Sequence, residues 1–434
     1  MTNNYIKPPI TMLDRTTPPP VQTMGPVSLP LPDSITLSNG IRFHTIRGGS
    51  QEVVQLSITW QGGCLEAPHP MVATLLASMM TQGTSVHTAA EISEILDFHG
   101  AMLRISAGQH VMSLQLVALN SMLRHVLPIV REVICDPSFP QQPFDALHDI
   151  ELNNFLLARS KVSVLCSEAM ASLIKGPAHP ESIVPSVDQL RAISLDQIRD
   201  FYSRLITADG CDAYLGGNFS EEILSEVSRM LESLPVRGEA LPKNIIPYSP
   251  EPPTTVVVEK PGAVQAAIEI GIPTIPRSHP DYIPLRLAVM ALGGYFGSRL
   301  MKNIREDKGY TYGIGAYLLG NQEGSYISVM AQTDASYVDD VIREVETEMR
   351  SLSASPLPAD EMMRLCQYAS STLLEILDSP FAIIDHYKLI GSVGLPEGYF
   401  DNQVRWVRSI SPDVIMDMAR KYIIPAQMRV AICR

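Results

Sequence analysis

The chain has 434 residues, and 45% of them are hydrophobic, so it is long enough for two or more domains with full-sized cores. Its 33 basic and 46 acidic residues leave a net charge of −13, which argues against a nucleic-acid backbone or an anionic membrane as the main partner. The cysteines are scattered without C-x-x-C spacing, so neither a disulfide framework nor a thiolate zinc site is indicated.

The proline-rich start of the chain, residues 1–28, predicts an extended arm. It lacks the basic start, the apolar core and the small-residue cleavage site of a secretory signal. No apolar run elsewhere is long enough to span a bilayer, since the best candidate is interrupted by Arg286 and by glycines. We therefore expect a cytoplasmic protein.

The first half, residues 29–233, opens with strands. In "DSITLSNGIRFHTI" the Ser-Asn-Gly triplet suits a hairpin turn, and "VVQLSITW" predicts a further strand. A loop carrying His69 and Pro70 then leads into an apolar helix. Apolar residues at three- and four-residue spacing predict helices in "TAAEISEILDFHGA", "SMLRHVLPIVREVI", "SLDQIRDFYSRLI" and "SEEILSEVSRMLESL", with strands in "HVMSLQLVAL" and "CDAYLGGNF".

A proline-rich stretch, residues 234–255, predicts a linker to the second half, residues 256–434. The strands "TTVVVEK" and "AAIEIGIP" open that half, and a loop with His279 and Pro280 again precedes an apolar helix. This parallel with the first half predicts an internal duplication. Further elements are predicted in "GSYISVMAQT", "SYVDDVIREVETEMRSL", "ADEMMRLCQYASSTLLEIL" and "MRVAICR".

Strands and helices that mix without strict alternation point to an α+β fold. We expect two homologous halves, each a mixed, mostly antiparallel sheet with helices packed on one face.

Nearly all of residues 29–434 resembles the insulinase/pitrilysin-like zinc peptidases, a family that includes the mitochondrial processing peptidase. The segments that carry the resemblance are the Gly-Thr at residues 83–84, "LIKGPAHPES", "AISLDQIRDFY" and "GSRLMKNIREDKGYTYGIGAY". The last is the most specific. It implies that Arg305 and Tyr312 support the bound peptide and the tetrahedral intermediate. Tyr310 is a further candidate for substrate binding, with core packing as its alternative.

The family also carries an inverted zinc motif, H-x-x-E-H, a few residues before a Gly-Thr. Those positions hold Thr74, Ala77 and Ser78 here, so both histidine ligands and the glutamate base are replaced. No two histidines of the chain lie four residues apart. The nearest acid to the expected third ligand is Glu151, which we expect to be a solvated or ion-paired side chain. We therefore expect no metal in this chain.

A purely structural interpretation of "REDKGYTYG" is also open. A helix would end at Lys308, Gly309 would form a left-handed cap, and the tyrosines of an edge strand would pack on the core. The resemblance instead implies that Arg305 and Tyr312 point into a cleft, where both side chains donate hydrogen bonds to a carbonyl oxygen or an oxyanion.

The loss of the zinc ligands and the retention of Arg305 and Tyr312 together predict the function. The resemblance implies a zinc-free subunit of a heterodimeric metallopeptidase that degrades or processes peptides, active only with a homologous chain that carries H-x-x-E-H and its zinc. The alternatives are a structural subunit, like the core subunits of respiratory complexes, and a peptide-binding homodimer without hydrolysis. Neither nucleic acid nor a membrane is expected as a partner.

Overall fold

The computed structural model describes residue 16 and residues 23–206, 209–235 and 238–434. Most of the predicted arm, residues 1–15 and 17–22, lies outside the described residues. The arm's last described residues contact the second half, because Met24 and Val27 pack against its core. Among the described residues, no helix is both long and apolar enough to cross a membrane.

The first sheet has six strands in the order β1-β2-β6-β3-β5-β4. Neighbouring strands are antiparallel, except that β2 and β6 are parallel. The strand bounds are β1 (Asp33–Thr36), β2 (Arg42–Arg47), β3 (Val53–Gln61), β4 (Met102–Ala107), β5 (Val111–Leu119) and β6 (Cys211–Gly217). The predicted hairpin joins β1 and β2, and Gly40 turns it with a φ of 92°.

The helices of the first half, except α5, cover one face of this sheet and bury a continuous core. The local sequence determines where these helices begin. At the start of α7, the Ser194 hydroxyl accepts from the Gln197 N–H, and the Gln197 side chain accepts from the Ser194 N–H. The helix bounds are α1 (Pro70–Met79), α2 (Ala89–Phe98), α3 (Asn120–Cys135), α4 (Gln141–Ala158), α5 (Val162–Lys175), α6 (Val187–Arg191), α7 (Leu195–Leu205) and α8 (Glu221–Glu232).

The second sheet has five strands in the order β7-β11-β8-β10-β9, with β7 and β11 parallel and the other neighbours antiparallel. Its strands are β7 (Thr255–Val258), β8 (Ala266–Thr274), β9 (Thr311–Gly320), β10 (Ser325–Thr333) and β11 (Arg429–Cys433). Its half contributes α9 (Tyr282–Gly293), a π-helical segment (Met301–Asp307), α10 (Val338–Ala354), α11 (Ala359–Glu375), α12 (Pro380–Val393), α13 (Tyr399–Ser409) and α14 (Pro412–Tyr422).

The predicted fold class is confirmed: both sheets are mixed, mostly antiparallel and packed with helices. Strands β2-β6-β3-β5-β4 of the first sheet also match β7-β11-β8-β10-β9 of the second in order and in direction. An internal duplication would produce this match, and it stays a prediction. The hairpin β4–β5 then corresponds to the hairpin β9–β10.

The expectation of helices on one face only needs a correction, because each sheet also receives one helix from the other half on its second face. Helix α5 of the first half packs on β8 and β11, and α12 of the second half packs on β6 and β2. The contacts are close, since a Cβ built on Gly216 of β6 would lie 2.9 Å from the Pro380 carbonyl oxygen of α12. Strand β8 is buried on both faces over residues 266–272, so a helix on each face is needed to exclude water from it.

The predicted linker, residues 234–255, forms neither helix nor strand in its described part until Thr255, where β7 begins. It nevertheless lies against both halves. Leu241 packs on the first core, and Tyr248 packs beside α5. The Tyr248 backbone N–H also donates to the Glu323 carbonyl in the β9–β10 turn. The domain boundaries at residues 29–233, 234–255 and 256–434 stay predictions.

Candidate functional site

Helix α1 holds the three positions of the degenerate zinc motif. It begins where His69 accepts a bond from the Met71 N–H and Pro70 opens the first turn. Thr74 and Ser78 are half-buried, and their hydroxyls donate to the backbone carbonyls of Pro70 and Thr74, four residues back in each case. Ala77 is buried in the core. These short side chains are committed to the helix itself and offer no metal ligand.

Helix α4 packs beside α1, where the third ligand would stand. Glu151 lies there half-buried, while Asn153 and Asn154 are exposed. Within the described part of the chain, no three His, Cys, Asp or Glu side chains converge in a way that could hold a metal ion. The residues at this site therefore do not fit the zinc of the family, and no zinc chemistry is assigned to this chain.

Arg305 lies on the π-helical segment, near its end. The wider turn is visible in the bond from the Lys308 N–H to the Asn303 carbonyl, five residues back. The segment is tied to α10, because Asn303 donates to Glu344 and Glu348 and Lys308 pairs with Glu344. Such π-helical turns recur at functional sites.

The Arg305 guanidinium stacks on an aromatic ring rather than on a carboxylate. Its central carbon lies 4.7 Å from the centroid of the Phe296 ring. Among the described residues no ion pair involves Arg305. Phe296 therefore holds the guanidinium in place while leaving its N–H donors available for a bound group.

Gly309 reverses the chain between the π-helical segment and β9. Its φ of 66° is left-handed, as the sequence predicted, and the Tyr310 N–H donates to the Ile304 carbonyl just after it. Strand β9 starts at Thr311, whose buried hydroxyl donates to the Gln332 carbonyl at 2.6 Å. Gln332 lies at the register shift between β9 and β10, so this bond fixes the start of β9 at the irregular position, next to the exposed Tyr312.

The two tyrosines of this stretch have different surroundings. Tyr312 is 92% exposed, so the structural interpretation that packs it on the core is wrong for this residue. Tyr310 is half-buried against the second core and stacks on Tyr337, with ring centroids 4.8 Å apart. Arg305, Tyr310 and Tyr312 line one open pocket of about 480 Å³.

A second pocket of about 470 Å³ adjoins the first, and sequence reasoning missed it. Both pockets are lined by Gln265, Thr311, Tyr312 and Gln332. The second extends between α5 and the β9–β10 face to Glu269, whose side chain is almost fully buried. Burial raises the pKa of this carboxyl above its ordinary value. The one available signal was an acidic residue inside the apolar run "AAIEIGI".

The comparisons with known proteins identify the fold family. Residues 192–367 match the family described as the Peptidase M16 inactive domain. This segment of the chain is similar to M16 inactive domains. The family predicted from the motifs is thereby confirmed, and the matched range includes Arg305, Tyr310 and Tyr312.

Similar proteins agree with this assignment. An uncharacterized zinc protease of Bacillus subtilis, YmxG, is 19% identical over 350 residues, which cover 79% of this chain and 84% of that protein. A Helicobacter pylori protein named non-peptidase homolog YmxG is 21% identical over 257 residues, covering 58% of this chain and 59% of that one. These two relatives have opposite descriptions, so the names alone do not decide the activity of this chain.

Solved structures share the fold. A peptidase M16 inactive domain from Pseudomonas fluorescens superposes with a TM-score of 0.84 at 20% sequence identity, covering 93% of this chain and 98% of that chain. Because the similarity extends over both halves, the M16-like arrangement is not confined to the matched segment.

Proposed function

We propose that this chain is the zinc-free subunit of a heterodimeric metallopeptidase that degrades or processes peptides. It contributes Arg305 and Tyr312 to the active site of a homologous partner chain that carries H-x-x-E-H and the zinc ion. The observation that carries the proposal is the 92% exposure of Tyr312 beside an arginine with no ion pair among the described residues. A tyrosine that buries so little of its surface adds little to the stability of the fold, so packing does not explain the position of Tyr312.

The chemistry assigned to this chain is hydrogen-bond donation. The Tyr312 hydroxyl donates to the oxygen that gains negative charge when water attacks the peptide carbonyl. The Arg305 guanidinium donates to a neighbouring carbonyl of the bound peptide and adds a positive charge. Tyr310, held against Tyr337, forms the wall of the pocket that positions the peptide backbone.

The partner is expected to cover the exposed apolar residues around the pocket. Phe296, whose ring lies under Arg305, is 62% exposed, and Val264, which precedes the lining residue Gln265, is 90% exposed. Exposed apolar side chains at the rim of a polar pocket are typical of protein interfaces. A peptide would bind between the two chains in extended form and could add a strand to a sheet edge.

The test is reconstitution. A homologue with an intact H-x-x-E-H motif from the same organism is purified alone, and each chain is assayed with a quenched fluorescent peptide, separately and mixed. We expect hydrolysis only in the mixture, together with a stable one-to-one complex. Purification of the native protein only with itself, or only within an unrelated membrane complex, would contradict the proposal.

A peptide-binding subunit without hydrolysis is the second candidate. The same two pockets favour it, because they offer donors and a carboxylate to a peptide whether or not a reaction follows. Tight peptide binding by the mixed chains, with no cleavage and with zinc present on the partner, would establish this second function instead.

A further inference from the structure

The pocket next to Tyr312 ends at a carboxylate that has no cationic partner in the described chain. Glu269 is 4% exposed and lies on the face of β8 that α5 covers. No ion pair among the described residues includes it. Lys175, the cation with the largest influence on it, is instead paired with Glu181 at 2.8 Å. A buried carboxylate without a counter-charge is costly for a folded protein, so its retention calls for a reason.

The hydrogen bonds of Glu269 hold it in a defined orientation. Ser167 of α5 donates to Oε2 at 2.8 Å, and Ser328 of β10 donates to Oε1 at 3.0 Å. Each oxygen thus receives one hydroxyl donor and keeps further acceptor capacity. Two weak neutral donors compensate only part of the lost hydration of a carboxylate, which leaves the site able to gain from a cation.

The walls of the pocket suit a long side chain with a charged end. Met330 of β10 pairs with Glu269 in the sheet and offers apolar contact for methylene groups, and Gln265 and Gln332 also line the pocket. Cys166 is part of the lining, but its thiol already donates to the Ala431 carbonyl at 3.2 Å. A volume of about 470 Å³ exceeds the size of one lysine or arginine side chain.

We infer that the Glu269 pocket binds a cationic amine or guanidinium group of a peptide, with the peptide backbone passing Tyr312 at the shared mouth. The site selects peptides by charge, a task distinct from the hydrogen-bond donation assigned to Arg305 and Tyr312. The net charge of −13 attracts the same class of ligand from a distance. The inference rests on the proposed function only in taking a peptide as the ligand.

The test measures binding to this chain alone, so it does not depend on hydrolysis or on a partner. Two fluorescent peptides, acetylated and amidated, are identical except that one has lysine where the other has norleucine, which is nearly the same shape without the charge. We expect the lysine peptide to bind about 10- to 100-fold more tightly, because a hydrogen bond between charged groups strengthens binding by that order. A free-amine version of the norleucine peptide shows whether a chain terminus serves as the cation equally well.

Glu269→Gln tests the residue itself, because the amide keeps the shape and an acceptor oxygen but removes the charge. We expect it to bind both peptides at the norleucine level, with an unchanged or slightly raised melting temperature. The matched control is Glu168→Gln on α5. Glu168 follows Ser167, is half-buried and pairs with Arg159 at 3.2 Å, so this change also removes one negative charge near the pocket. The control should keep the preference for lysine.

Equal affinity of the wild-type chain for the lysine and norleucine peptides, or binding of neither, overturns the inference. So does a preference for lysine that survives Glu269→Gln. If Glu269→Gln fails to fold, the comparison of the two peptides on the wild-type chain still decides the case. Failure of the reconstituted pair to cleave peptides bears only on the proposed function, because no step of this test uses cleavage.

Discussion

His110 joins the two sheets by donating from Nε2 to Glu323. His110 lies on the turn between β4 and β5, Glu323 lies on the turn between β9 and β10, and 213 residues separate them in the chain. The other ring nitrogen, Nδ1, bonds to Glu66 at 2.7 Å. The three side chains are almost fully buried, so a single imidazole holds corresponding hairpins of the two sheets together between two carboxylates.

This arrangement predicts a pH dependence of stability. The hydrogen bond to Glu66, followed by the bond to Glu323, raises the pKa of His110 above its ordinary value near 6.5, and burial opposes this shift. A raised folded-state pKa gives stability that is complete below about pH 6.5 and is lost as the pH rises through the folded value. The pKa of Glu66 is lowered because its bonds from His110, Asn244 and Gly63 outweigh its burial, so its contribution is lost as the pH falls into the acid range.

Urea unfolding at a series of pH values measures this effect. His110→Gln should lower the free energy of unfolding by about 1–3 kcal/mol at pH 6 and by less at higher pH. The nearby Lys175 and Glu181 form their own pair and should contribute equally to both proteins. His125→Gln, at an exposed histidine of α3, is the control. An identical pH profile for the His110→Gln and wild-type proteins would show that the bond does not stabilise the fold.

Removal of the Tyr312 hydroxyl should separate catalysis from folding. Tyr312→Phe should leave the melting temperature and the assembly unchanged, because the side chain is exposed. It should lower turnover by the reconstituted pair roughly 10²-fold, the order found when one oxyanion donor is removed. Tyr317→Phe, on the same strand and 47% exposed, is the matched control. Wild-type turnover by the Tyr312→Phe complex would remove Tyr312 from the proposed site.

Arg305→Ala should affect both binding and turnover, because it removes a charged donor. We expect a higher KM and a lower kcat, with little change in stability since no ion pair of Arg305 is seen in the described chain. Phe296→Leu keeps the arginine but removes the ring beneath it, and should produce a smaller loss of the same kind. A stable Arg305→Ala complex with unchanged kcat and KM would assign this arginine to the surface alone.

Zinc analysis tests the degenerate motif. The purified chain should hold far less than one zinc ion after dialysis against a weak chelator, because the Thr74 and Ser78 hydroxyls bond to their own helix. The double variant Thr74→His/Ser78→His places two imidazoles four residues apart and serves as the positive control for weak zinc binding. One tightly held zinc per wild-type chain, located at α1, would contradict the assignment of this helix.

The sheet contact of α12 predicts an asymmetry between two glycines. Gly216→Ala would bring a Cβ to 2.9 Å from the backbone oxygen of Pro380, which has little room to move, and should cost about 1–3 kcal/mol. Gly398→Ala, where nothing lies within 4 Å of the new Cβ, should change stability by much less. Thermal unfolding of both variants measures the difference, and equal melting temperatures would show that α12 yields easily.

Local elements could be predicted from the sequence because their signals are local. The apolar run of α1, the alternation in β3 and the glycine at residue 309 each depend on a few neighbouring residues. The exchange of α5 and α12 could not be found in this way, since an amphipathic helix does not specify which sheet it covers. The Glu269 pocket was missed for a related reason: Ser167 and Ser328 reach the carboxylate from distant parts of the chain.

The exchanged helices also set a constraint on synthesis. Helix α12 begins at Pro380, and it covers β2 and β6 of a sheet whose last strand is complete at Gly217. The ribosome makes the chain from its amino end. Part of one face of the first sheet therefore stays exposed to water while more than 160 further residues are made. A nascent chain stopped before α12 should therefore expose a surface that chaperones bind, and both halves of the finished protein should unfold in one cooperative transition.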